Sequence, residues 1–207
     1  MAYETEEQQV EAIKQFWKEN GTSIVLGAVI GFGALFGWNY YQDHKESQSA
    51  QASMAYSEVL SLSDAANSTA MVGKVDGLKT EHAASSYASL AVLTYAEQLV
   101  NDNKFVEATE QLKWVVDQSN DTFESIAQLR LARVQLQLEQ YGEAIATVEA
   151  IDEQAYQANA LLVKAEALLA QGETEQAKSV LIEARDAEDG TVNPLLQMRL
   201  GQLGIDK

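Results

Sequence analysis

Residues 21–42 contain no charged side chain. The apolar part of this stretch is about 20 residues long, or ~30 Å as a helix, which matches the hydrocarbon core of a bilayer. Trp17 precedes it, and Trp38, Tyr40 and Tyr41 close its far end. Amphipathic aromatic rings settle at headgroup level, so both ends carry an interfacial belt. The stretch therefore reads as a transmembrane helix over residues 21–41, in contact with the lipid bilayer. A cleaved signal peptide is the competing reading, since Ala50-Gln51-Ala52 has the small-x-small form. That tripeptide lies about a dozen residues beyond the end of the apolar core, and the preceding arm is long and acidic rather than short and basic. A buried core helix of a soluble protein fits the continuous apolar character and the aromatic ends poorly.

Glycines punctuate the span. Gly27, Gly31 and Ala34 share one helical face; Gly33 and Gly37 form a second. Small residues at this spacing let membrane helices approach closely. Glycine is also simply frequent in such helices, and the pattern alone leaves both readings open. Gly31-Phe32-Gly33 is not a dinucleotide fingerprint, because the third glycine is misplaced and the setting is lipid. Lys14 and Lys18 precede the span and Lys45 follows it. This basic bias places the N-terminus in the cytoplasm and residues 42–207 outside.

Residues 1–20 form an acidic arm. Thr5 with Gln8 suits a capping box. Val10, Ile13, Phe16 and Trp17 recur on one helical face. The expectation is an amphipathic helix lying on the membrane surface, with contact to a cytoplasmic partner as the alternative.

The formal net charge is −17, and residues 42–207 hold 12 Lys and Arg against 26 Asp and Glu. Nucleic-acid binding draws on neutralised phosphates, so this charge excludes it as a partner. There is no cysteine, hence no disulfide, thiolate nucleophile or thiolate metal site. His44 and His82 lie at no metal-ligand spacing, and no phosphate-binding glycine loop or nucleophile elbow occurs. Nothing points to catalysis, a cofactor or a metal, and the chain reads as a non-enzyme.

A single proline, Pro194, permits long uninterrupted helices. Residues 42–84 read as a helical linker and the N-terminal helices of a soluble domain. Ala52, Ala55, Tyr56, Val59 and Leu60 supply an apolar side. A softer segment, 63–80, with Gly73 and Gly77, is expected to bend or loop. Residues 85–190 are periodic. Ala96, Ala132 and Ala165 are separated by 36 and 33 residues, and Ala108, Ala144 and Ala177 repeat the same steps. Small residues at such intervals suit the crossing points of stacked antiparallel helix pairs, whose tetratricopeptide version repeats about every 34 residues. Phe105 and Tyr141 begin the second helix of their pairs; Thr174 replaces the aromatic in the third, and Lys164-Ala165 breaks the large-small pattern of Tyr95-Ala96 and Leu131-Ala132. Asn193 and Pro194 start a helix within 191–207 that covers the open end. The fold class is thus all-α: one N-terminal transmembrane helix, then a tetratricopeptide-like helical-repeat solenoid.

The first helices of the pairs offer a candidate partner groove. It comprises Leu90, Leu93 and Glu97; Ile126, Leu129, Arg133 and Leu136; and Leu162, Glu166 and Leu169. These form a mildly apolar groove with an acidic rim, or the leucines are core.

Three blocks carry a family resemblance. They are Gln9-Val10-Glu11-Ala12-Ile13-Lys14-Gln15-Phe16-Trp17 with Glu19-Asn20-Gly21, the glycine-rich span ending Gly37-Trp38, and Leu129-Arg130-Leu131-Ala132-Arg133-Val134-Gln135. Together they are similar to the YfgM family of ancillary subunits of the SecYEG translocon. The resemblance covers essentially the whole chain and is weakest over 63–84. It implies a bacterial inner-membrane protein with its C-terminal domain in the periplasm. The implied partners are SecYEG, a PpiD-like periplasmic chaperone and secreted client proteins. A membrane-anchored repeat scaffold that assembles another envelope complex is the alternative.

Overall fold

The computed structural model describes residues 6–118, 121–187 and 193–205. Thr5, half of the expected capping box, lies outside them. Among the described residues every regular element is helical. The chain divides into two compact units, Met1–Ala50 and Gln51–Lys207. Helix α1, Glu6–Asp64, contributes to both.

In the first unit α1 is long and apolar enough to cross a membrane, with a mean hydropathy of 1.7 over its most apolar stretch. Its side chains from Ile24 to Tyr41 are exposed. So are Val10, Ile13, Phe16 and Trp17 in the arm. The Trp17 indole folds back over Gly21, where a β-carbon would sit 3.4 Å from its ring nitrogen. A β-carbon added at Gly27, Gly31, Gly33 or Gly37 would meet no other part of the described residues within 4 Å, apart from the helix's own backbone.

The second unit is a stack of antiparallel helices. The last turns of α1 pack with α2, Ser68–Glu81, through Ala52, Val59, Met71, Val75 and Leu78. Helices α3 (Ser86–Asn101) and α4 (Phe105–Asp117) follow, then α5 (Asp121–Gln137) and α6 (Tyr141–Glu149). A short 3-10 turn precedes α7 (Gln157–Ala170), α8 (Thr174–Asp186) and α9 (Pro194–Gln202). Each helix from α2 onward contacts its successor, and α3 meets α5 as α5 meets α7. Three consecutive cores result: the first runs from α1 to α5, the second spans α5 to α7, and the third α7 to α9. Contacts confined to neighbours are what a stacked repeat produces.

The six alanines that set the period are all buried, at 0–2% exposure. Each sits where a larger side chain would push two helices apart. Phe105, Tyr141 and Thr174 are the first residues of α4, α6 and α8. The turns before them share one backbone solution. Asn103, Glu139 and Gly172 have φ of 60°, 59° and 83°. The next amide reaches back to the preceding helix: Lys104 N to Leu99 O at 2.8 Å, Gln140 N to Gln135 O at 2.9 Å, and Glu173 N to Leu168 O at 2.9 Å. This left-handed closure satisfies carbonyls that the helix end would otherwise orphan.

Two local expectations are corrected. Segment 63–80 is not a bend or loop; most of it is α2. Asn67 caps that helix by accepting the Ala70 amide at 3.1 Å. Gly73 and Gly77 cost it roughly 1 kcal/mol each relative to alanine. Met71, Val75 and Leu78, at 0–1% exposure, fall on one face. Burying three such side chains contributes roughly 1.5–3 kcal/mol apiece, which outweighs the glycines. Leu60 is not on the packed side of α1 but 40% exposed; Leu62 takes that place against the core. The face continues from Val59 by three residues, as a helix requires.

Pro194 and Asn193 act as read from the sequence. Pro194 opens α9, and the Asn193 side chain accepts from Leu195 N at 3.0 Å and Leu196 N at 3.3 Å. Leu196 and Leu200 then cover the third core.

Candidate protein-binding surface

The first helices of the three pairs, α3, α5 and α7, carry every residue of the candidate groove. Leu93, Leu129 and Leu162 are buried at 5%, 6% and 1% exposure, each in a different core. They hold the stack together. Leu90 is half-buried. Ile126, Leu136 and Leu169 are half-buried against the first, second and third cores.

The charged members behave differently. Glu97, Arg133 and Glu166 follow Ala96, Ala132 and Ala165, so they occupy one register position in successive repeats. Glu97 and Arg133 are exposed. Glu166 accepts two bonds from Arg199 on α9, at 3.0 and 3.3 Å, and so ties the last helix to the third pair.

Glu97 and Arg133 both line a cleft of about 290 Å³ between α3, α4 and α5. Ala96, Val100, Leu112 and Val134 make its apolar walls; Glu97, Arg130 and Arg133 make its polar rim. Arg130 sits between α3 and α5. Its guanidinium lies 3.7 Å from the Glu97 carboxylate and donates to Leu93 O at 3.5 Å. The sequence reading missed Arg130. Its signal was present: Arg130 and Arg133 are three apart on α5 and therefore neighbours on one helical face.

Burial raises the Tyr95 hydroxyl above the usual phenol range, with Glu107, Asp76 and Asp102 adding to the effect. Asp102, in the turn after α3, is held below the usual carboxylate range, chiefly by the Ser68 hydroxyl, with Gln98 and Lys104 helping. Among the described residues no group of His, Cys, Asp and Glu is arranged to hold a metal.

An apolar helix long enough to cross a membrane and a stack of paired helices define a helical-repeat protein, and residues 14–205 match the family model described as tetratricopeptide repeat-like domain. A solved chain described as MamA RS-1 ArsTM double mutant shares this fold, with a TM-score of 0.55 at 17% identity over 74% of this chain and 83% of that one. Three curated relatives are each described as an ancillary SecYEG translocon subunit. That of Escherichia coli K12 is 34% identical over 98% of both chains. That of Aggregatibacter actinomycetemcomitans is 35% identical over 98% of this chain and all of its own. That of Haemophilus influenzae is 30% identical over the same shares. The chain belongs to this family, the YfgM-type ancillary translocon subunits.

Proposed function

We propose that the protein is a non-enzymatic accessory subunit of the SecYEG translocon. It is anchored by residues 21–41, with the repeat domain in the periplasm, where it links newly translocated proteins to a PpiD-like chaperone. The observation that carries the translocon role is relatedness of at least 30% identity along essentially the whole chain, anchor included, to relatives described as ancillary subunits of that translocon. The Lys14 and Lys18 bias supports the orientation. The chaperone and client links extend the family resemblance.

Two contact surfaces follow from this reading. One is the pair of small-residue faces in the membrane helix, Gly27, Gly31 and Ala34 with Gly33 and Gly37. A β-carbon added at any of these four glycines meets nothing within 4 Å beyond the helix's own backbone among the described residues. The other is the exposed part of the α3–α5–α7 surface, where the cleft between Glu97 and Arg133 lies.

The test is copurification of the full-length protein from its own membranes in mild detergent. SecY and a PpiD-like chaperone are expected in the wild-type eluate and depleted with Gly27→Leu/Gly31→Leu. Recovery of other envelope proteins without a translocon component overturns the secretion role and leaves an anchored scaffold for another complex.

A further inference from the structure

We infer that the α3–α4–α5 cleft binds a short protein segment that places one apolar side chain between its walls and an adjacent Asp or Glu side chain on Arg133. This rests on the reading of the repeat surface as a partner-binding site and specifies the chemistry of the partner.

Charge is the first argument. The chain has 31 acidic and 14 basic residues, so a surface arginine here is surrounded by potential carboxylate partners. Three of its four arginines hold one: Arg130 pairs with Glu97, Arg185 with Asp186 and Arg199 with Glu166. Arg133 has no carboxylate within 4 Å and no hydrogen bond among the described residues. The register sharpens the contrast. Glu97 and Glu166, the equivalents of Arg133 in the flanking repeats, are both neutralised inside the domain. The cation between them is left for something outside.

Shape is the second argument. The Arg133 guanidinium stands on the rim of an apolar cleft formed partly by Val100, Leu112 and Val134. A volume of about 290 Å³ lies at the bottom of the range for small-molecule sites, which runs to ~1,000 Å³. It suits one side chain with its flanking backbone. Arg130 is already engaged by Glu97 and Leu93 O, which fixes one wall and leaves one guanidinium for one incoming carboxylate. A guanidinium presents a planar fork that matches a carboxylate bidentately, which an ammonium does not. The net of two cations and one anion at this rim favours an acidic segment in a domain that otherwise repels one.

The experiment uses the labelled full-length protein in detergent, titrated by thermophoresis into the millimolar range. The probe is a C-terminally amidated peptide of Gly and Ser around a central Phe-Glu pair. Saturable binding is expected. Replacing the peptide Glu by Gln weakens it about tenfold, the size of one desolvated charge-assisted contact. Arg133→Gln weakens binding to a similar degree and removes the preference for Glu over Gln. Arg133→Lys keeps part of it. Because Arg133 is exposed, Arg133→Gln is expected to melt with the wild type; if it does not fold, the Lys variant and the two peptides on wild-type protein still decide the matter. Absence of saturable binding overturns the proposal. So does equal binding of the two peptides to the wild type, discrimination that survives Arg133→Gln, or binding only by a version with a free C-terminal carboxylate. The titration contains no translocon component. Failure here with SecY still copurifying removes the acidic-segment chemistry alone, whereas loss of SecY with intact peptide discrimination removes the translocon role alone.

Discussion

The turn between paired helices offers a direct test of what closes the repeats. Asn103, Glu139 and Gly172 occupy one position in three successive pairs and share a left-handed backbone. A β-carbon in that region costs an L-residue roughly 1–2 kcal/mol, whereas glycine gives up roughly 0.5–1 kcal/mol through its greater freedom in the unfolded chain. Glu139 is exposed, so its side chain contributes little against this cost. Glu139→Gly is therefore expected to stabilise the domain by about 0.5–1 kcal/mol. Gly172→Ala runs the other way. A β-carbon there meets nothing within 4 Å among the described residues, so the penalty of about 1 kcal/mol is conformational rather than steric. Asn103→Gly lies near zero, because asparagine tolerates the left-handed region. For a domain of this size, 1 kcal/mol moves the melting temperature by about 2–4 °C. Melting of the full-length protein in detergent, followed by far-ultraviolet circular dichroism, ranks the three variants. Gly172→Ala as stable as the wild type, or Glu139→Gly less stable, would refute the view that the left-handed residue limits these turns.

Three further outcomes are expected. Ser89 on α3 is fully buried and its hydroxyl has no hydrogen-bond partner among the described residues. Ser89→Ala should therefore raise stability by about 1 kcal/mol in urea unfolding, and a loss of that size would show that the hydroxyl is satisfied in solution. Leu162→Ala should cost about 2–5 kcal/mol by the same measurement, because Leu162 is 1% exposed in the third core; a change below about 0.5 kcal/mol would make it a surface residue. The Ser68 hydroxyl holds the Asp102 carboxyl below its usual range, so the stability it contributes is present above about pH 4 and lost as pH falls through the lowered folded value. In Ser68→Ala the Asp102 titration followed by carboxylate NMR should move upward; an unmoved curve would assign the shift to Gln98 or Lys104 instead.

The features legible in the sequence were those set by local chemistry. A charge-free stretch of bilayer length marks a membrane-compatible helix because hydrocarbon excludes ions whatever the rest of the chain does. Ala96, Ala132 and Ala165 mark helix crossings because close approach admits only a small side chain. Asn193 and Pro194 mark a helix start because one cannot donate and the other accepts for its neighbours.

Other features needed the packed chain. Gly73 and Gly77 signal a break, and only the burial of Met71, Val75 and Leu78 against α1 and α3 shows why a helix forms there. An amphipathic pattern says that Leu93, Leu129 and Leu162 lie on an apolar face. It does not say whether that face meets the next repeat or a partner, since the hydrophobic effect rewards either burial. Repeat spacing aligned Glu97, Arg133 and Glu166, yet their fates were decided by residues remote in sequence: Arg130 reaches Glu97 across 33 positions, and Arg199 reaches Glu166 across the same distance. Sequence alone thus determined the anchor, the helical period and the stack. Tertiary structure decided which surface remained open and that Arg133 stands on its rim without a carboxylate partner among the described residues, because ion pairs and clefts depend on distances between side chains that periodicity does not specify.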